Sequence, residues 1–257
     1  TGSEATGNTL RSHPNILKNS IRFIGEQDSL NGTILGQDII SEDQDFEVFI
    51  KEIIREMTVK AGQKCTAIRR IFVPIKMVAP VIAALDVKLS KMITGDPRSE
   101  STRMGPLVST SQYDDVLDKV NTLAEEAEVV IGEIPQKTLS KTAFFKPLLL
   151  HCKDPDHSQY VHSVEAFGPV ATIMGYTDLD HVALLLNKGG GSLVASVFTN
   201  SGDFARDISY KCGPWHGRLY FNNYSSSKSA TGHGSPLPHM IHGGPGRAGG
   251  GEELGGI

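Results

Sequence analysis

Apolar positions along the chain fall into stretches of helical spacing separated by stretches of strand character. Phe46, Phe49, Ile50, Ile53, Ile54 and Met57 recur at helical spacing, which predicts a helix starting at Ser41 or Asp43 and ending at Gly62. The β-branched and aromatic run "AIRRIFVP", closed by Pro74, predicts a strand. Val78, Val81, Ile82, Leu85, Leu89 and Met92 share a second helical face, and "GDPRSESTRMGPLVS" reads as loop. Tyr113, Val116, Leu117, Val120 and Leu123 mark a third helix, followed by the strand "EVVIG". Farther on, "FGPVATIMGY", "LVASVFT" and "GRLYFNN" read as strands, separated by the helices "LDHVALLLNK" and "DFARDISYK". Ahead of all these, "IRFIG" and "GTILG" read as two short extended pieces. Strands alternating with helices predict an α/β fold, a sheet with helices on its faces.

Composition narrows the class. The chain has 257 residues, 39% hydrophobic and 21% charged, which is ordinary for a globular protein and enough for one large domain or a large domain plus a fragment. A net charge of −4 with both signs interspersed gives no nucleic-acid face. Apolar runs such as "PVIAAL" are too short to span a bilayer, and "TGSEATGN" is no signal peptide. The three cysteines form no CxxC and no even framework, so a reducing, cytoplasmic setting is expected. The chain opens in the middle of a motif and without Met, which reads as a piece of something longer. Glycines crowd His242 to Gly256, and such a segment is costly to order. It is either a flexible tail or a loop held by something else.

Cys65, in "KAGQKCTAIRR", falls where a helix ends and a strand begins, a usual place for reactive groups. Lys64, Arg69 and Arg70 flank it, and positive charge favours the thiolate, the nucleophilic form. The same position suits a small apolar filler, the commoner fate of a lone cysteine. A thiolate attacking a carbonyl needs oxyanion donors, and a base if water later attacks the thioester. No histidine has a privileged position: His13 precedes Pro14 in a polar stretch, His162 reads as a strand-end residue, and His233, His239 and His242 fall in the glycine-rich segment. That trio has no cysteine or flanking carboxylate at metal spacing, so surface histidines and no metal site are expected. The candidate base is Glu26, in "FIGEQDSLN", where burial would raise the carboxyl toward a general base's range. A solvated loop carboxylate is the plainer reading. "TGSEATG" offers backbone N–H groups and the Ser3 hydroxyl at an expected helix N-terminus, an anion site of phosphate size. Gly244, Gly246 and Gly249 spell GxGxxG, but Pro245 interrupts it and neither a strand nor a helix pattern flanks it.

Taken in order, these stretches resemble the NAD(P)-dependent aldehyde dehydrogenases. "GQKCTAIRR" resembles that family's cysteine signature and "TGSEATG" its phosphate-contacting turn. "GDPRSESTRMGPLVS" looks like its Gly-Asp-Pro … Met-Gly-Pro-Leu loop, "EAFGPVATI" like its Glu-x-Phe-Gly-Pro-Val segment, and "GRLYFNN" like its closing strand. Together they cover essentially the whole chain. The family's glutamate base precedes the cysteine by a few tens of residues; here 65 − 26 = 39, which suits Glu26. The resemblance implies that Cys65 attacks an aldehyde to give a thiohemiacetal, that hydride leaves for NADP or NAD, and that Glu26 activates the water that hydrolyses the thioester. It further implies that the Cys65 backbone N–H is an oxyanion donor, that Glu165 holds the nicotinamide ribose, that Phe167 packs near the ring, and that Gly2 and Ser3 meet the pyrophosphate. The fold implied is an aldehyde dehydrogenase-like catalytic domain, a sheet flanked by helices, with a remnant of the Rossmann-type cofactor domain. Residues 1–35 would be that remnant, 36–228 the catalytic domain, and 229–257 a glycine-rich segment contacting substrate or a second subunit. The full-length form is expected to be a homo-oligomer.

Where the family has Glu-Leu-Gly-Gly-Lys, this chain has Glu26-Gln27-Asp28-Ser29-Leu30, and the bulkier residues change the approach to the cofactor. "EQDSLNGTILG" and "TGHGSPLPHMIHGGPGRAGGGEELGG" resemble a narrower branch: the aldehyde dehydrogenase parts of the ring-opening enzymes of aerobic phenylacetate degradation, with relatives in the benzoyl-CoA epoxide pathway. That branch oxidises CoA-linked semialdehydes and tends to use NADP. Two alternatives stay open: a CoA-acylating dehydrogenase, which passes the thioester to CoA without a glutamate base, and a truncated, non-catalytic fragment of the same fold. As the family's cofactor domain begins upstream of the phosphate turn, the isolated chain is expected to bind cofactor poorly.

Overall fold

The structure, a computed structural model, describes residues 1–136, 142–237 and 240–250 and the backbone of 253–254. Two short helices come first, α1 (Glu4–Arg11) and α2 (Pro14–Lys18). Ser3 caps α1, its hydroxyl accepting from the Thr6 amide, and His13 caps α2 by accepting from the Asn15 amide. There follow β1 (Gly32–Leu35), α3 (Gln44–Thr58), β2 (Arg70–Pro74), α4 (Val78–Leu89), α5 (Thr110–Leu123) and β3 (Glu128–Ile131). The second half contains β4 (Leu148–Cys152), β5 (Val170–Tyr176), α6 (Leu179–Asn187), β6 (Ser192–Phe198), α7 (Gly202–Cys212) and β7 (His216–Asn222), then a small pair, β8 (Ile241–His242) with β9 (Glu253–Leu254). Two expectations shift. "IRFIG" forms no strand, and α3 stops at Thr58, four residues before Gly62, in a tight 3₁₀ turn. β4 was anticipated only at its last residue, Cys152, which reads as a strand end; the run "LLL" before it has no alternation to mark its start.

The sheet has seven strands in the order β3-β4-β5-β2-β1-β6-β7. All neighbours are parallel except the edge pair β3 and β4. Helices cover both faces, so interior strands are buried on both sides and successive side chains enter opposite cores. Ile71 and Val73 join Phe49, Ile53, Val81 and Leu85 of α3 and α4 on one side. Phe72 joins Val116, Val120, Val182 and Ile208 of α5, α6 and α7 on the other. β1 runs between β2 and β6, which places Gly32–Leu35 in the middle of the sheet that β2 to β7 build.

The glycine-rich segment is a held loop over its described part. Gln27 donates its amide to Ala248 at 3.1 Å, and Arg247 donates its amide to Gly190 at 2.9 Å. Gly244 lies so close to the Ser192 carbonyl that a side chain there would collide with it. Among the described residues no helix is long and apolar enough to cross a membrane.

Candidate active site

Three segments converge where parallel strands begin: Glu26 ahead of β1, Cys65 ahead of β2, and Glu165 with Phe167 ahead of β5. The Cys65 loop is reached through Lys60, Ala61 and Gly62, whose φ values of 54°, 53° and 68° are left-handed, a conformation that costs any residue with a Cβ. A Cβ on Gly62 would run into the Gly168 carbonyl, so the turn sits hard against the segment that follows Glu165. Arg69 ties the two together. It donates to the Gly62 carbonyl at 2.9 Å and the Gly168 carbonyl at 2.7 Å, pairs with Glu165 at 3.2 Å, and lies 5.3 Å from the Phe167 ring centroid. Asn31, fully buried, donates its side-chain amide to the carbonyls of Cys65 and Ala67. Neither Arg69 nor Asn31 carried a structural role in the sequence reading; a buried polar residue is invisible until its carbonyl partners are placed.

Gly2, Ser3, Glu26, Cys65, Glu165 and Phe167, all expected from the sequence, line one cavity of about 420 Å³. The Cys65 sulfur, a Glu26 carboxylate oxygen and a His242 ring nitrogen lie within 4.8 Å of one another. His242 Nε2 is 3.8 Å from Cys65 Sγ and 3.6 Å from Glu26 Oε1. This corrects the expectation of surface histidines without a privileged position: His242 is largely buried beside the sulfur. His233 is fully buried, its Nδ1 bonded to Ser196 Oγ at 2.9 Å. His239 lies outside the described residues. His162 is a buried partner of Arg70 rather than a strand-end residue. Sequence offered one faint signal for His242, its place in a glycine-dense segment that reads as either a flexible tail or a loop held by something else.

The cations expected to favour the thiolate are turned elsewhere. Lys64 pairs with Glu56 at 2.7 Å, Arg69 with Glu165, and Arg70 donates to the carbonyls of Leu30, Leu185 and Leu186. The Cys65 thiol is instead pushed up to about 12, first by burial and then by the negative charge and hydrogen bond of Glu26. The backbone amides of Thr66 and Cys65 face the sulfur and oppose this. Burial likewise raises the Glu165 carboxyl, against the pull of Arg69.

At the N-terminus of α1 the expected anion site is partly filled by the protein itself. Gly2 donates its amide to Glu26 O at 3.0 Å, and Ser3 Oγ is engaged by the Thr6 amide. Asp28 Oδ1 accepts from the Glu4 amide at 3.1 Å while Oδ2 pairs with Arg247 at 3.3 Å. A carboxylate thus stands where the family motif has glycine. Around Gly244, Gly246 and Gly249 the two-residue β8 does precede the motif, but only a three-residue 3₁₀ turn follows, so no dinucleotide fold forms there.

Comparison with known proteins adds to this. The model of the aldehyde dehydrogenase family matches residues 1–255. The chain is 40% identical over 250 residues to the 3,4-dehydroadipyl-CoA semialdehyde dehydrogenase of Aromatoleum evansii, covering 95% of this chain and 48% of that protein. It is 51% identical over 156 residues to Protein MaoC of Klebsiella aerogenes, covering 60% of this chain and 46% of that one. Succinic semialdehyde dehydrogenase from Streptococcus pyogenes, solved with NADP+, superposes with a TM-score of 0.81 at 23% identity over 98% of this chain and 51% of that one. Betaine aldehyde dehydrogenase from Staphylococcus aureus, solved with NAD+, gives 0.81 at 24% over 98% and 47%. At these identities the two structures speak to the fold alone. The chain spans about half the length of the relatives it matches.

Proposed function

The chain belongs to the aldehyde dehydrogenase family, and from that premise we propose that it oxidises a CoA-linked semialdehyde to the carboxylic acid with NADP or NAD. The observation that carries this reading is the convergence of the Cys65 sulfur and the Glu26 carboxylate on one cavity. In this reading Cys65 attacks the aldehyde carbon and forms a thiohemiacetal, with the Cys65 backbone N–H stabilising the oxygen. When bound, the nicotinamide cofactor supplies the hydride acceptor that turns this adduct into a thioester. Glu26 then takes a proton from water, the hydroxide adds to the thioester carbon, and the C–S bond breaks to release acid and regenerate Cys65.

Residues for the cofactor's reactive end are at hand. Glu165 accepts from Arg69 through Oε1 and from the Ser29 amide through Oε2, and a carboxylate keeps further lone pairs for ribose hydroxyls. Phe167 would flank the ring, with Gly2 and Ser3 on the diphosphate side. The CoA-linked substrate is supported by the named activity of the Aromatoleum relative and by the "EQDSLN" form of the base segment.

The test is Glu26→Gln assayed with a CoA-linked semialdehyde and NADP. Expected is one burst of NADPH followed by a stalled acyl-enzyme, seen as a mass increase on Cys65. Steady turnover at the native rate would overturn hydrolysis by Glu26. Turnover restored only by free CoA would assign the chain to the acylating dehydrogenases.

A further inference from the structure

We propose that His242 is the group that takes the proton from Cys65, leaving Glu26 for water. This rests on the reading of Cys65 as nucleophile, and extends it to a residue in a segment that supplies no part of the chemistry above.

The geometry sets up the division of labour. Nε2 of His242 is 3.8 Å from the sulfur, within reach of a hydrogen bond to sulfur. Its Nδ1 is buried with no partner among the described residues, so the two polar neighbours of the ring, the thiol and Glu26 Oε1, both lie at Nε2. Nε2 can accept from the thiol when the ring is neutral, or donate to Glu26 or the sulfur when it is charged. The other charged groups near the pair are Arg69, in the loop of Cys65, and Arg218, from β7. Glu253 stands opposite His242 in the β8–β9 pairing. Arg69 is already committed to Glu165, and Arg218 donates to the His233 carbonyl at 2.6 Å. The Glu26 carboxylate also hydrogen-bonds the thiol, but a proton lodged there would disable it for water; the imidazole, 3.8 Å from the sulfur, is the second acceptor in contact, and a proton held on it leaves the carboxylate to act on water.

The step balances without a further reagent. The S–H bond breaks, its proton passes to Nε2, and the electron pair stays on sulfur and attacks the carbonyl carbon. The imidazolium pairs with Glu26 while the thioester stands, and its proton returns to the sulfur when the C–S bond breaks. A metal ion held by the same three groups would consume nucleophile and water-activating carboxylate together, which the proposed reaction forbids.

Alkylation by iodoacetamide in the native protein tests this apart from aldehyde chemistry, with Cys152 and Cys212, both 0% exposed, as internal references. Expected for the wild type is fast labelling of Cys65, with a rate that rises in a step with pH. His242→Phe keeps the ring's bulk and should lose that step and slow labelling by about a hundredfold. His242→Gln, which bonds but does not titrate, should lose the step as well. Far-ultraviolet thiolate absorbance should fall in parallel. His242 variants labelled at the wild-type rate with the wild-type pH profile would overturn the proposal. So would a wild-type labelling rate that rises on adding EDTA, which would give the three groups to a metal. If Glu26→Gln fails to stall but the histidine variants lose the step, the hydrolysis reading fails and this one stands.

Discussion

The side-chain amide of Asn31 donates to the Cys65 carbonyl at 2.8 Å and to the Ala67 carbonyl at 3.0 Å, while its oxygen accepts from the Val194 amide at 3.2 Å. One buried side chain thus joins the segment behind Glu26, the loop of the sulfur and β6. Asn31→Ala orphans these groups in a dry interior, at about 1–3 kcal/mol for each unsatisfied group. We expect stability to fall by roughly 3 kcal/mol, and kcat to fall at least about tenfold with KM little changed. Urea unfolding and steady-state kinetics on the variant check both; native kcat would show that other contacts place the loop.

Gly62 is a second point of leverage. Its φ of 68° and the nearby Gly168 carbonyl both exclude a side chain. Gly62→Ala should cost about 2 kcal/mol or more. Gly105, with nothing within 4 Å of a built Cβ, is the control, and its Ala variant should stay within about 0.5 kcal/mol. Equal denaturant midpoints for the two variants would contradict the account of the turn.

Arg69→Lys keeps the charge beside Glu165. A lysine cannot reach the Gly62 and Gly168 carbonyls together, nor lie flat over Phe167. The variant should lose roughly 3 kcal/mol and raise the KM for NADP several-fold through a displaced Glu165. Unchanged cofactor KM would detach Arg69 from that role.

Buried histidines set the response to acid. Burial pulls His162 and His216 from 6.5 down to about 4 and His233 down to about 3, with Arg70 adding to the first two and Arg218 to the third. Each binds its proton more weakly folded than unfolded. Their stabilisation is therefore complete above the unfolded value and drains away as pH falls from about 6.5 toward 4. Between pH 7 and 5 this amounts to roughly 2 kcal/mol per histidine. Urea midpoints measured at both pH values should drop accordingly, and His233→Gln should flatten the dependence; pH-independent midpoints would refute it.

Much of the fold was legible because most of its strands and helices carry a clear period. Phe46 to Met57 and Tyr113 to Leu123 lie on the core faces of α3 and α5 as their spacing predicts. β4 was marked only at its end, Cys152, because "LLL" lacks the β-branched residues that made β5 and β6 legible. The six cavity residues were legible through local motifs, each a few residues long. His242 was not, since it comes 177 residues after Cys65 and meets it only through the packing of a glycine-rich loop. The cations beside Cys65 misled for a related reason: adjacency in sequence says nothing of which way a side chain turns, and Lys64 and Arg69 turn to carboxylates of their own.

Because the site is made where strands begin, the helices that lead into those strands finish there. α3 ends at Thr58, a short turn before Cys65, while the last carbonyls of α6, Leu185 and Leu186, are capped by the Arg70 guanidinium. Lys64 and Arg69 are paired with Glu56 and Glu165, so neither brings an unpaired positive charge to the sulfur or to the Glu26 carboxylate. In the proposed reaction a positively charged oxidised nicotinamide beside that carboxylate is favoured over the neutral reduced ring, so the reduced cofactor is expected to bind the more weakly.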